Sequence, residues 1–348
     1  MLYDLRIKET TPLISANQMA IELPMTDAAA ETVEAARQAF RRIMYRQDHR
    51  LVLIVGPCSI HDIEAAMDYA KRLAPLIKRF GDRLVIIMRV YFEKPRTRKG
   101  WRGLIVDPHM DGSNDGQEGL RQARSLLLEI NSLGVPTCSE LIDPVTPQYI
   151  GDLLSVAAIG ARSTESPLAR ALASGLSMPP GFKNGTSGNI EMAVDAMIAT
   201  QDSNSLFGPD RDGRSAVHHT SGNPDTFMIL RGGKNGPNYS PKSVRSASSL
   251  LRKENLIDLV MIDCSHAQSG GDPVRQEAVW REVVDSLPGT REYVMGLMVE
   301  SFIEAGKQPI QLPVDRTKLK YGLSVTDACM DWSTTEQMIE YTYEQLSS

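Results

Sequence analysis

Between Arg83 and Gly103 the chain reads RLVIIMRVYFEKPRTRKGWRG, which gathers Arg89, Lys94, Arg96, Arg98, Lys99 and Arg102 into one local cluster of cations. Arginine offers a planar fork of donors and lysine a point charge, so such a cluster suits carboxylate or phosphate. Pro95 stiffens the segment and biases Lys94 toward extended backbone. Taken alone, the stretch is more simply a solvated basic loop, and the residues further along the chain reverse that. Further cations stand at Arg162, Lys183 and Arg231, the last two within GFKNGT (181–186) and RGGK (231–234). Their glycines let backbone N–H groups approach a phosphate closely. Arg89, Lys94, Arg96, Arg162, Lys183 and Arg231 together exceed what one carboxylate needs, and imply substrates with several negative charges.

A second set differs in chemistry. Cys58, His266, Glu300 and Asp327 offer a thiolate, an imidazole and carboxylates, a mixed set able to hold Zn, Fe, Mn or Co without much selectivity. They lie far apart in sequence, so only the fold could assemble them.

The elements that must do so are legible as an alternation. Apolar runs at LVLIVG, 84–90, 135–140, 158–162, 181–183, 227–231, 259–263 and 293–300 read as buried strands. Helical patterns at 63–79, 117–132, 147–156, 167–176, 189–200, 241–254, 273–286 and 333–346 separate and close them. Such alternation argues a parallel sheet and fits a (β/α)8 TIM barrel, whose site lies at the C-terminal strand ends. A doubly wound open sheet is the alternative, but no GxGxxG follows the first strand. On the barrel reading Cys58, Arg89 with Lys94, Glu140, Arg162, Lys183, Arg231, His266 and Glu300 converge on one mouth.

Bulk composition restricts partners. The 348 residues carry 38 basic and 43 acidic side chains for a net charge of −5, so bulk charge implies neither nucleic acid nor a membrane surface. Four scattered cysteines without a CxxC pair suit a reducing compartment, and no run of apolar residues is long enough to span a bilayer. A cytoplasmic protein is expected.

GPCSIHD (56–62), RVYFEKPRT (89–97), GARSTES (160–166), GFKNGT, ILRGGK (229–234), DCSH (263–266) and SVTDAC (324–329) together resemble the class I, feedback-regulated 3-deoxy-D-arabino-heptulosonate 7-phosphate (DAHP) synthases. The resemblance runs from DLRIKE (4–9) to Trp332. It implies condensation of phosphoenolpyruvate with erythrose 4-phosphate, the first step of the shikimate pathway. It further implies Arg89, Lys94, Glu140, Arg162, Lys183 and Arg231 around phosphoenolpyruvate, and Lys94, Pro95, Arg96 and Thr97 at erythrose 4-phosphate. Cys58, His266, Glu300 and Asp327 would hold a divalent metal, and Lys94 would be the candidate proton donor. Gln268, Val156-Ala157, Asn235-Gly236 and a longer 307–320 depart from the family pattern, without removing a ligand or a cation. A synthase acting on another phosphosugar, of the KDO 8-phosphate type, and a catalytically silent sensor of aromatic amino acids are the competing readings. KPRT weighs against the first and the intact ligand set against the second.

Two segments are superfluous to eight βα units. Residues 1–45 read as an extension of a short strand (LRIKET) and a helix from Ala28 to about Tyr45 capped by Thr26-Asp27; 46–348 then form the barrel. An insertion at about 202–223, before the sixth barrel strand, reads as a β-hairpin turning at Asp210-Arg-Asp-Gly213. In the family resembled, hairpin and extension from neighbouring subunits form an effector pocket, implying a homodimer or homotetramer. Pro147, Gln148, Leu176, Ser177 and Gly208 match its lining, whereas Pro144 and His218 depart from the phenylalanine-type pattern. Gly208 favours tyrosine among the aromatic amino acids.

Overall fold

The structure is a computed structural model and describes residues 3–96 and 100–346. Its strands are β1 (Leu51–Gly56), β2 (Leu84–Arg89), β3 (Thr137–Glu140), β4 (Val156–Ile159), β5 (Pro180–Lys183), β6 (Ser205–Pro209), β7 (Ser215–His219), β8 (Phe227–Leu230), β9 (Val260–Asp263) and β10 (Val294–Glu300). All but β6 and β7 close a parallel barrel in the order β1-β10-β9-β8-β5-β4-β3-β2. The helices are α1 (Ala16–Glu22), α2 (Asp27–Met44), α3 (Ile63–Phe80), α4 (Gly116–Ser132), α5 (Thr146–Ile150), α6 (Pro167–Ser174), α7 (Glu191–Gln201), α8 (Pro241–Lys253), α9 (Pro273–Thr290) and α10 (Trp332–Gln345). The expected TIM barrel is therefore the fold observed. β6 and β7 form the expected hairpin, pairing Leu206 with His218 and Gly208 with Ala216.

The barrel strands are buried along their whole length, which explains why they read as continuous apolar runs without alternation. Thr26 caps α2 as expected, its hydroxyl accepting the Ala29 N–H. One face of α2 does more than pack outside. Phe40, Ile43 and Met44 join a single apolar cluster with the barrel-interior residues Val52, Ile54, Val85, Phe227, Met261 and Met298. Phe40 meets Phe227 at 5.0 Å between ring centroids. Each such side chain removed from water contributes about 1.5–3 kcal/mol, so α2 is part of the barrel's core.

The expected strand at LRIKET is absent: these residues form a turn and irregular backbone. An isolated extended segment has no ladder within the chain to satisfy its amides, so propensity alone does not make it a strand. Instead α1, capped by Ser15, holds the hairpin tip through Asn17, whose N–H donates to the Arg211 carbonyl at 2.8 Å. The helix expected over 147–156 is only the short α5 and one 3-10 turn. The Arg37 guanidinium donates to the freed carbonyls of Gly151 and Leu154, and the chain enters β4 two residues earlier than expected. Arg162 consequently lies in the turn after β4. Conversely α9 continues past 286 to Thr290 through Pro288.

Candidate active site

Strand register brings the first group together. β1 and β10 pair Gly56 with Glu300, so Cys58 emerges next to that carboxylate. Gly56 is required there, because a Cβ would stand 2.5 Å from the Arg89 carbonyl oxygen. The donor atoms of Cys58, Glu300 and Asp327 all lie within 4.8 Å of one another, and Cys58 Sγ is 3.6 Å from Asp327 Oδ2. Burial and then the Glu300 charge push the Cys58 thiol up to about 11. A cation beside it counteracts that: Lys94 Nζ lies 3.1 Å from Cys58 Sγ and also donates to the Cys58 carbonyl. A thiol and two carboxylates with their donor atoms this close together fit a divalent ion, although Arg89 already pairs with Glu300 and Lys94 lies against Cys58. His266 stands outside this trio but lines the same cavity as Asp327. Its backbone has φ 58°, and its Nδ1 is taken up by Ser265 Oγ at 2.6 Å and Asp263 Oδ2 at 3.1 Å. That leaves Nε2 as the ring nitrogen without such a partner.

The second group is a cavity of about 320 Å³ lined by Lys94, Pro95, Arg96, Glu140, Arg162, Lys183, Thr186, Arg231, His266 and Asp327. The loops after β2, β4 and β8 and the last residue of β5 thus each supply a cation, and His266 and Asp327 join cavity and donor trio. Arg162 Nη1 donates to the Pro95 carbonyl at 3.1 Å, tying two of these loops. Arg96 Nε donates to the Trp101 carbonyl at 2.9 Å. Burial lowers the Arg231 guanidinium, which sits among cations at the wall. Gly160 makes room for Glu140, whose Oε1 would lie 2.1 Å from a Cβ at that position. Arg89 is not in the cavity lining: it lies beneath, donating to Glu300 Oε1 at 2.8 Å and to the Pro57 carbonyl. Thr97 lies outside the described residues.

Several residues carry this geometry without having stood out in the sequence. The Tyr91 ring lies under Arg89 at 3.5 Å and near Lys94 and Lys183, both at 5.8 Å, a single aromatic face beneath the mouth's cations. Asp263 is fully buried and accepts from Lys183 Nζ at 2.8 Å. Burial works to raise its carboxyl, but His266, Lys183 and Arg89 outweigh that and hold it well below the usual range. An amide network stitches the cationic loops together. Asn184 Oδ1 accepts the Arg231 N–H at 2.8 Å, and its Nδ2 donates to the Gly232 carbonyl. Asn238 Oδ1 accepts the Gly232 N–H at 2.8 Å and the Gln268 Nε2 at 2.7 Å, while Gln268 Oε1 accepts the Asn238 N–H. Gln268 therefore keeps a stitching role between the loops after β8 and β9. The position of Asp263 at a strand end and the departure at Gln268 were the available signals; Asn238 offered none.

His61, buried in the GPCSIHD turn against Phe302, has no partner for Nδ1 among the described residues. Burial foremost pushes it down to about 4 from an ordinary 6.5. A depressed histidine favours the folded state above its unfolded value and withdraws that stability as pH falls toward the folded one. Stability should therefore decline between about pH 6.5 and 4 by up to about 3 kcal/mol from this group. Thermal melts of the protein and of His61→Phe across that range check this; parallel slopes would assign the acid loss elsewhere.

On the flank, a second cavity of about 680 Å³ brings together all five residues expected of an effector pocket: Pro147, Gln148, Leu176, Ser177 and Gly208. Pro144, Arg37 and His218 share its wall. It lies between α5, α6 and the hairpin.

Fold and mouth together define a (β/α)8-barrel enzyme whose site joins clustered cations to a thiol–carboxylate donor group. The chain belongs to the DAHP synthetase I family, which it matches over residues 23–340. It is similar to a fission yeast (Schizosaccharomyces pombe) protein named phospho-2-dehydro-3-deoxyheptonate aldolase, tyrosine-inhibited, at 43% identity over 97% of this chain and 91% of that protein. An Escherichia coli protein of the same name, Phe-sensitive, is 47% identical over 97% of this chain and 95% of its own length. The solved structure of the Francisella tularensis phospho-2-dehydro-3-deoxyheptonate aldolase superposes with a TM-score of 0.94, at 40% identity and 98% coverage of both chains. Among the described residues no helix is long and apolar enough to cross a membrane.

Proposed function

We propose that this protein condenses phosphoenolpyruvate with D-erythrose 4-phosphate to DAHP and inorganic phosphate, in the cytoplasm. The observation that carries the reading is the cavity in which Lys94, Arg96, Arg162, Lys183 and Arg231 surround one space bounded by His266 and Asp327. Lys94, Arg162, Lys183 and Arg231 bind the carboxylate and phosphate of phosphoenolpyruvate, together with Arg89 and Glu140. The Lys94–Thr97 segment takes erythrose 4-phosphate, with Arg96 on its phosphate.

Cys58, His266, Glu300 and Asp327 would hold a divalent metal ion, which supplies Lewis acidity toward a carbonyl oxygen. Charge on the reacting groups is then managed by the protein. As C3 of phosphoenolpyruvate forms its bond to the aldehyde carbon, the clustered cations stabilise the shifting negative charge. Lys94 Nζ, in the cavity lining next to Cys58, is placed to donate a proton to the new hydroxyl. Water adds at C2, and phosphate departs with cleavage of its C–O bond.

The division of the mouth is testable. Arg96→Ala raises KM for erythrose 4-phosphate far more than for phosphoenolpyruvate, and Arg231→Ala does the reverse. Loss of one charge-assisted contact costs about 1.5–3 kcal/mol, or roughly ten- to a hundredfold. Steady-state kinetics with each substrate varied is the measurement, and equal effects from both variants would mean the two sites are wrongly divided.

The flanking cavity is proposed to bind an aromatic amino acid that inhibits the enzyme, tyrosine foremost. The open space at Gly208 and the named sensitivities of the relatives support this. A homodimer or homotetramer is proposed as the working form. Apolar Phe207 and Val217, paired on the hairpin's outer face and 82% and 45% exposed, support a further chain covering them.

A further inference from the structure

We propose that His218 selects effectors whose aromatic ring carries a hydrogen-bond donor, by accepting that donor at Nδ1. The inference rests on the reading of the flanking cavity as an effector pocket. His218 lies on β7, half-buried, and shares the cavity wall with Gln148 and Ser177. Its Nε2 stands 3.0 Å from the carbonyl oxygen of Pro209 on the facing strand. A carbonyl oxygen only accepts, so Nε2 carries the proton and donates it. A neutral imidazole with Nε2–H has a bare lone pair at Nδ1. Among the described residues nothing donates to that nitrogen, whereas the neighbouring His219 has its Nδ1 engaged by Ser205.

A Cβ at Gly208 would make ordinary contact with His218 Cδ2 and Nε2, each at 3.5 Å, so the glycine adds no bulk to that edge of the ring. The hairpin thus presents an acceptor at the edge of an open space, its tautomer fixed by Pro209. Phenol O–H satisfies such an acceptor, while an unsubstituted phenyl ring strips it of water and returns nothing. Discrimination therefore comes from a polar group left unpaired by the wrong ligand as much as from attraction to the right one.

The test compares L-tyrosine with 4-fluoro-L-phenylalanine, which has nearly the same size but no donor, as inhibitors of the metal-loaded enzyme. Each inhibition constant is read against the same variant's own uninhibited rate. In the unmodified protein tyrosine inhibits at about tenfold or more lower concentration than the fluoro analogue. In His218→Leu the two converge, through loss of tyrosine potency. In His218→Asn, whose side-chain carbonyl keeps an acceptor, part of the gap returns. Equal potency in the unmodified protein, or a gap that persists in His218→Leu, overturns the role of His218 and leaves the effector pocket standing. Inhibition by neither compound overturns both.

Discussion

Exhaustive removal of divalent ions should abolish turnover, and returning Mn, Fe, Co or Zn should each restore part of it. No single ion is best suited to a set made of one thiolate, one imidazole and two carboxylates. Cys58 is the soft ligand of that set, so Cys58→Ala should weaken retention of the softer ions by more than the roughly 10–100-fold typical of supporting residues. Sulfur loss also removes one of the two Cys58 partners of Lys94 Nζ, the other being the backbone carbonyl, so added metal should not return full activity. Metal content measured alongside rate separates the two effects. Full activity in metal-free protein would remove the metal from the mechanism. Normal metal content with low activity in Cys58→Ala would move the defect to Lys94.

Asp263→Asn should produce the other large loss. The carboxylate is fully buried between Lys183 Nζ and His266 Nδ1, and each depends on it for charge balance or orientation. Breaking a buried pair by removing one partner costs about 3–5 kcal/mol, since the remaining charge stays out of water. Chemical denaturation should show a fall of that order, and kcat/KM for phosphoenolpyruvate should fall with it. Because Asp263 is held well below the usual carboxylate range, its stabilisation is present above the ordinary value near 4 and fades only as pH falls below it. The difference between the protein and Asp263→Asn should therefore be flat through neutral pH. Adding Lys183→Met to Asp263→Asn removes the stranded charge, so stability should recover while activity does not. A double variant no more stable than Asp263→Asn would place the cost in His266 rather than in Lys183.

Much of this protein is written locally. Eight buried strands announce themselves as apolar runs because parallel strands covered on both faces need no polar alternation. Polar residues that end such runs (Cys58, Lys94, Lys183, Arg231, His266, Glu300) stand out because nothing in a buried strand explains them. The hairpin was legible from its turn, where Gly213 has φ 85° and Asp210 accepts two backbone N–H groups. Local pattern misled at LRIKET, where extended propensity met no partner strand, and at 147–156, where helical composition yielded to the β4 ladder and to Arg37.

What local pattern could not contain is distance. Cys58, Glu300 and Asp327 come within 4.8 Å only because β1 pairs with β10 and closes the barrel, joining residues more than two hundred positions apart. The same closure puts Arg89 beneath the cavity rather than in it, a difference no residue type reveals. It turns α2, read as an outlying helix, into part of the barrel's core. Asn184, Asn238 and Gln268 are ordinary amides in the sequence, and become the frame of Arg231 only through hydrogen bonds between loops. Sequence by itself determined which chemistries were available, because side-chain type is local. Tertiary structure alone decided which groups share a space, because charge pairing and ligand convergence depend on separation in space and not along the chain.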